Sequence, residues 1–205
     1  MTVIEEKGNL AIGLESAGIL LTPEEFDAIT DYDENYRYEL IHGVLVVNAI
    51  PNPEETGPNE FLGYLLLKHK NEHARGRTLD DTLPQQFVRT LFGRRIADRL
   101  IWAGLSRLPQ LRNDPATIAV EFVSAGRRNR HRDYEEKRQE YGDAGIKEYW
   151  IFDRFDRTLT VIGYIGGESV ETVITESQTY ESPLLPGFVV PLQLILQSAD
   201  QRAEQ

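Results

Sequence analysis

Short apolar segments separated by polar turns predict a chain built from strands with helices between them. Residues 36–50 carry apolar runs on both sides of His42-Gly43, where glycine supplies a positive φ, and so predict a hairpin. A second hairpin is predicted where 158–165 and 169–175 alternate around Gly166-Gly167. Further strands are predicted near 87–90, 96–103, 117–123 and 147–153.

Three segments carry the signals of helices. Thr22 is the predicted N-cap of a helix in which Pro23 occupies the first turn and Glu25 completes a capping box. A proline-rich loop over 51–58 is expected to precede a helix over 59–74, which has apolar residues at helical spacing on one side. The third helix is predicted over 133–143 and ends before Gly145.

This order of elements favours an α/β fold, with a central mixed β-sheet flanked by helices and an N-terminal helix and hairpin. The 205 residues, 40% of them hydrophobic, suffice for one well-packed domain rather than two. We therefore expect a single domain over 22–197, preceded by an extension over 1–21 and followed by a tail over 198–205.

The composition of the chain bears on where in the cell the protein is expected. No window approaches the roughly 18 consecutive apolar residues that a membrane span needs, and residues 1–7 lack the basic start and apolar core of a secretory signal. The absence of cysteine excludes disulfides, thiolate metal sites and a cysteine nucleophile. We expect a cytoplasmic protein with no membrane partner.

The net charge of −11 is unfavourable for a nucleic-acid partner until its distribution is considered. Residues 89–138 hold twelve Lys and Arg against six Asp and Glu, a net +6, while the rest of the chain holds ten against 27, a net −17. Because repulsion from distant acids is screened beyond roughly 8 Å at physiological salt, a local basic patch can still bind phosphate. The alternative is a basic loop that only balances acidic neighbours.

Two carboxylates in this segment stand on strands where a plain structural role is costly. Glu121 interrupts the apolar run 118–123, which is typical of a strand covered on both faces, and a buried carboxylate must be paired, protonated or bound to a cation. Asp98 alternates with Ile96 and Leu100 and points away from the neighbouring arginines. The alternatives are an ion pair with arginine for Glu121 and a strand-end or salt-bridge role for Asp98.

Lys137 follows on the predicted third helix. Tyr134, Lys137 and Tyr141 are spaced at i, i+3 and i+7, so the lysine shares the stripe that should pack on the sheet. The alternatives are an ordinary surface lysine paired with Asp133 at i−4 and a lysine whose stem is buried while its ammonium reaches water. Asp98, Glu121 and Lys137 together are the ingredients of a magnesium-dependent phosphodiesterase site.

With these residues in view, the chain resembles the PD-(D/E)XK nuclease superfamily, and within it the Uma-two family of restriction-endonuclease-like proteins. The similarity extends from Leu21 to about Leu196. The motifs that carry it are Leu21-Thr22-Pro23-Glu24-Glu25-Phe26, Tyr38-Glu39-Leu40-Ile41-His42-Gly43, Ala97-Asp98, Val120-Glu121-Phe122-Val123-Ser124, Asp133-Tyr134-Glu135-Glu136-Lys137, Tyr141, Ala144-Gly145-Ile146-Lys147-Glu148-Tyr149-Trp150, Asp153 and Ser182-Pro183-Leu184-Leu185-Pro186-Gly187.

The resemblance implies a restriction-endonuclease-like core and a metal-dependent endonuclease. It implies that Asp98 and Glu121 bind Mg²⁺, with Mn²⁺ as a substitute, that Lys137 assists the attacking water, and that Glu39 and Asp133 are accessory acids. Phosphodiester hydrolysis of nucleic acid, DNA in the first instance, is the expected activity. A loop between Glu121 and Lys137 should contact the phosphate backbone through Arg127, Arg128, Arg130 and Arg132.

Several residues depart from the family pattern, and these departures leave open a function without catalysis. Ala97 and Ala125 replace expected prolines, His42 and Val44 replace expected acids, and 58–60 lacks an expected histidine. A catalytically inactive nuclease-fold module that binds nucleic acid or a protein partner would also fit. His69 and His73 are spaced to bind zinc, without further ligands at suitable spacing, and a homodimer is left open as the assembly that would cut both strands.

Overall fold

The computed structural model describes residues 10–51, 53–125 and 130–203. Its contacts divide the chain into two compact units, one formed by Met1–Ile50 with Thr90–Arg95 and the other by Pro51–Arg89 with Ile96–Gln205. Among the described residues, no helix combines the length and the apolar character needed to cross a membrane.

The first unit is built from short elements around one hairpin. Strand β1 (Ala11–Ile12) runs parallel to β2 (Asp31–Tyr32), and helix α1 (Pro23–Asp27) lies between them in the chain. The predicted capping box is confirmed: Thr22 Oγ1 accepts from the Glu25 N–H at 3.1 Å, and the Glu25 carboxylate accepts from the Thr22 N–H at 3.0 Å.

The predicted hairpin is confirmed as β3 (Tyr36–Ile41) paired with β4 (Val44–Ala49). Its two turn residues have φ of 49° at His42 and 81° at Gly43, the left-handed conformation that two-residue hairpin loops require. In the same unit, Leu40 pairs with Arg94, whose guanidinium binds Asp27 at 2.9 Å. These contacts join α1 and the hairpin to the first residues of the strand that continues into the second unit.

The second unit holds the central mixed sheet and the larger helices. Its elements, in chain order, are α2 (Pro53–Glu72), β5 (Leu79–Thr90), β6 (Gly93–Ala103), β7 (Ile118–Phe122), a π-helical turn (Arg132–Glu136), α3 (Lys137–Asp143), β8 (Glu148–Asp153), β9 (Thr158–Ile165), β10 (Glu168–Thr175), β11 (Tyr180–Glu181), β12 (Val189–Val190) and α4 (Leu192–Ala203). Strands β5 and β6 each have one end in the first unit.

The central sheet is mixed, as predicted. Strand β7 pairs antiparallel with β6 and parallel with β8, and β8, β9 and β10 follow as antiparallel neighbours, while β5 pairs with β6. One face carries Leu62 and Leu66 of α2 and Ile195 of α4, and the other carries Tyr141 of α3. Strand β7 is therefore covered on both faces, which explains its continuous apolar run.

Helix α2 approaches the sheet closely over Arg99, which is almost fully buried. A Cβ atom at Gly63 would lie 2.5 Å from Nη2 of Arg99, so glycine makes room for the guanidinium. Asn59 accepts from Arg99 Nε at 2.8 Å through its side chain and from Nη2 at 3.0 Å through its backbone carbonyl. This cluster fixes the start of the helix against β6.

Several predicted boundaries are wrong. Residues 53–58 are helical rather than a loop, and Pro58 lies inside α2, which ends at Glu72 rather than Ala74. The burial of the helix against the sheet outweighs the single hydrogen bond that a proline removes near a helix start. Strand β5 begins at Leu79, eight residues before its predicted start, and helix α4 was not predicted.

Candidate active site

The two predicted acids stand on neighbouring strands. The antiparallel register of β6 and β7 pairs Arg99 with Val120, so Asp98 and Glu121 follow as the next cross-strand position. Side chains opposite each other in such a pair project to the same face, here the face of Ala119 and Leu100 under α3. Glu121 is only 3% exposed, whereas Asp98 is partly exposed.

Hydrogen bonds hold the Asp98 carboxylate against the partner strand. Its Oδ2 accepts from the Phe122 backbone N–H at 2.8 Å, and its Oδ1 accepts from the Gln85 side chain at 3.1 Å. The backbone φ of Gln85, within β5, is 53°. This left-handed conformation costs a non-glycine residue about 1–3 kcal/mol. The positive φ therefore falls on the residue whose side chain reaches Asp98.

The third predicted residue joins the acids from the helical side. Lys137, 2% exposed, places its Nζ 2.8 Å from Glu121 Oε1 and donates to the Ile96 carbonyl at 3.4 Å. The alternative in which the ammonium reaches water is wrong, because the charged end is as buried as the stem. The alternative of an arginine partner for Glu121 is also wrong, since the ion pair is made by Lys137.

Asp133 completes the cluster from the π-helical turn. Its Oδ1 lies 3.4 Å from Lys137 Nζ and accepts from Arg132 Nε at 3.1 Å. Tyr141, one turn beyond Lys137, donates its hydroxyl to Glu121 Oε1 at 2.7 Å. The structure thus brings Glu121, Lys137 and Asp133 together, and Asp98 is near enough to Lys137 for the two charges to interact.

The acids are held in a state that resists ionisation. Burial, together with the charges of Asp98 and Asp133, raises the pKa of Glu121 to about 8 against the opposing effect of Lys137. Burial also raises the pKa of Asp98, while Lys137 and the Phe122 N–H act in the opposite direction. Raised pKa values at clustered acids are typical of functional sites.

This pKa shift predicts a pH dependence of metal-free stability. The pKa of Glu121 in the folded protein is raised above its ordinary 4.5, so protonation of Glu121 favours the folded state. The folding stability gained in this way is fully present below pH 4.5 and is lost as pH rises through about 8. Urea unfolding in EDTA between pH 5 and 8.5 should show wild type losing stability with rising pH, by up to a few kcal/mol. Glu121→Gln should lose clearly less, and equal slopes would contradict the shift.

The donor set fits a divalent cation. Mg²⁺ prefers oxygen ligands and is commonly held by one or two carboxylates, with water filling the remaining positions. Asp98 and Glu121 supply two such groups. Burial raises the pKa of both acids, the charge of Asp98 adds to the shift of Glu121, and a bound cation would favour the ionised form of each. In the described part of the chain, no group of three or more His, Asp or Glu is arranged to hold a metal, so the set is limited to the two strand acids.

Comparison with known families decides the assignment. A profile of the Uma2 family, described as "Putative restriction endonuclease", matches residues 23–193. The chain belongs to this family. No curated protein matches the chain.

A solved structure supports the fold of this Uma2-family protein. A crystal structure described as a putative nuclease belonging to DUF820, from Anabaena variabilis, superposes with a TM-score of 0.67 at 10% identity. The match covers 87% of this chain and 99% of the other. At this identity the likeness shows the fold alone, and that fold is the predicted nuclease-like one.

Three residues around the site were missed by the sequence analysis. Asn59 lies within 58–60, the stretch where the resemblance predicts a histidine, and its amide donates to the Asp98 backbone carbonyl at 2.6 Å. Gln85 fell in a segment without a predicted strand, and Tyr141 was recognised only as a packing residue. Two signals pointed Tyr141 towards the site: its helical spacing from Lys137 and its place among the residues that carry the family resemblance.

The predicted basic rim is tested only in part. Arg127 and Arg128 lie outside the described residues. Arg130 is ion-paired with Asp153 at 2.7 Å and with Asp156, and Arg132 is paired with Asp133. Both described arginines therefore have acidic partners within the chain, and binding a phosphate would mean exchanging them.

Two further predictions concern Glu39 and the histidine pair. Glu39 lies on β3 of the first unit, where it accepts from the Asn48 amide at 3.0 Å, and its accessory role stays a prediction. His69 and His73 stack with ring centroids 4.7 Å apart. Since no metal-binding group of three is found among the described residues, this pair has no further ligand there.

Proposed function

We propose that this Uma2-family protein hydrolyses phosphodiester bonds in nucleic acid, DNA in the first instance, with Mg²⁺ held by Asp98 and Glu121. Bound there, the cation would polarise a phosphoryl oxygen and favour ionisation of water. The observation that carries the proposal is the convergence of a buried acid, a second acid and a buried lysine within a nuclease fold.

Asp98, Glu121 and Lys137 would each have a different role in this reaction. Asp98 is oriented by the Phe122 N–H and Gln85, so its carboxylate is fixed before any ligand arrives. Both contacts of Glu121 with Lys137 and Tyr141 use Oε1, so Oε2 is the oxygen that they do not engage. Lys137 supplies positive charge next to the acids and would offset charge that builds on the phosphoryl group.

The basic segment would hold the substrate. Arg127, Arg128, Arg130 and Arg132 precede Lys137 in the chain, and contacts from arginine to phosphate position nucleic acid without reading its sequence. We therefore infer backbone binding and no recognition sequence. The homodimer that would cut both strands stays a prediction, which sedimentation of the purified protein would test.

Nicking of supercoiled plasmid tests the proposed function. Wild-type protein should nick in Mg²⁺ or Mn²⁺ and lose activity in EDTA, and labelled single-stranded DNA and RNA in parallel reactions would define the substrate. The inactive-module alternative predicts binding in a gel-shift assay without nicking in either metal. That result, with folded wild-type protein, would refute the proposal.

A further inference from the structure

The buried acid Asp133 has a carboxylate oxygen that the proposed hydrolysis leaves unexplained. Asp133 is 1% exposed, and its Oδ2 has no hydrogen-bond partner in the part of the chain that the structure describes. Leaving a buried acceptor without a donor costs about 1–3 kcal/mol. Such a residue is better explained by a task at the site than by stability.

The backbone around Asp133 is held in an unusual conformation. The Lys137 N–H donates to the Arg132 carbonyl across five residues, which defines the π-helical turn. The Tyr149 hydroxyl of β8 donates to the Asp133 carbonyl at 2.9 Å and ties the turn to the sheet. π-Helical turns are rare and occur frequently at functional sites, and this one sets Asp133 and Lys137 side by side.

The contacts of the ammonium show what Asp133 does. Around Lys137 Nζ lie Glu121 Oε1 at 2.8 Å, Asp133 Oδ1 at 3.4 Å and the Ile96 carbonyl oxygen at 3.4 Å. An ammonium has three protons to donate, so it can contact both carboxylates at once. If Glu121 shares its charge with a cation, Asp133 is a carboxylate that stays in contact with the lysine.

We propose that Asp133 is a positioning residue, which keeps the Lys137 ammonium at the acid pair when Glu121 is engaged by the divalent cation. The inference rests on the proposed function. A positioning role is favoured over metal binding because Asp133, Glu121 and Asp98 do not form a three-ligand group. Asp133 Oδ1 also already faces two cationic side chains, those of Lys137 and Arg132.

A double-mutant cycle tests whether Asp133 acts through Lys137. Asp133→Asn should lower kcat for nicking about 10- to 100-fold, as loss of a residue that orients a catalytic group commonly does, with KM for DNA and Kd for Mn²⁺ changed less than about twofold. In a Lys137→Met background, Asp133→Asn should slow nicking no further. Additive losses, or a Mn²⁺ Kd raised more than about tenfold, would refute the positioning role.

The same double-mutant cycle can be measured by urea unfolding, which does not depend on whether the protein is catalytically active. In EDTA, the urea midpoints of Asp133→Asn, Lys137→Met and the double variant should be non-additive, because each single change removes the same contact. Glu135→Gln is the matched control, since it removes one exposed carboxylate from the same turn and should be additive with Lys137→Met. If wild type fails to nick, the proposed function fails, and additive midpoints would separately refute the contact between Asp133 and Lys137.

Discussion

Glu121→Gln should reduce metal-dependent cleavage at least about 100-fold, since loss of a residue that only orients a metal ligand already costs about 10- to 100-fold. Glutamine keeps an oxygen to accept from the Tyr141 hydroxyl and Lys137, now at 2.7 and 2.8 Å, so the fold should persist. It removes the anionic oxygen that a hard cation needs. Initial nicking rates over a Mn²⁺ titration, with circular dichroism of both proteins, measure the effect.

A second buried glutamate provides the control. Glu148 on β8 is 6% exposed and accepts from the Trp150 indole and the Ser182 hydroxyl, both at 2.8 Å. Trp150 belongs to the opposite face of the sheet from Ala119. Glu148→Gln should therefore leave the nicking rate within about threefold, whereas equal losses in both variants would show that burial rather than position explains the effect.

Lys137→Met should be the most destabilising change at the site, by about 3 kcal/mol or more at pH 8 in EDTA. It removes the buried cation in contact with Glu121 and Asp133 and leaves buried carboxylates without compensation. The loss should be smaller at pH 5, where Glu121 and Asp98, whose pKa values are raised, hold protons more fully. Urea unfolding at the two pH values measures it.

Added Mn²⁺ should recover part of that loss, because a cation bound by the acids replaces the missing positive charge. Lys68→Met is the matched control: Lys68 pairs with Glu72 at 3.9 Å on the surface of α2, and exposed pairs contribute about 0–1 kcal/mol. A Lys137→Met variant as stable as Lys68→Met, at both pH values, would contradict the account of the buried cluster.

The core of the site was predictable because burial of charge is visible in a sequence. Glu121 interrupts a strand that is otherwise apolar, and such an interruption has few physical explanations. The stripe that carries Lys137 and Tyr141 follows from helical spacing, and both residues are buried as that stripe predicts. Hairpins were equally accessible, since glycine and alternation mark them directly.

Other features depend on contacts between distant segments and leave no local signal. Asn59 reaches Asp98 and Arg99 across 39 and 40 residues. The π-helical turn at Asp133 reads as ordinary helix in the sequence, because the extra residue changes the hydrogen-bond register and not the residue types. The prolines over 51–58 predicted a loop, whereas Pro58 lies inside α2 because tertiary packing overrides local propensity.

Anomalous diffraction from crystals soaked in Mn²⁺ tests the central claim most directly. The account predicts one peak bonded to carboxylate oxygens of both Asp98 and Glu121 at about 2.0–2.2 Å, with Lys137 still in contact with Asp133. A fully soaked crystal with no peak at these acids, and with Glu121 still bound to Lys137 alone, would contradict it.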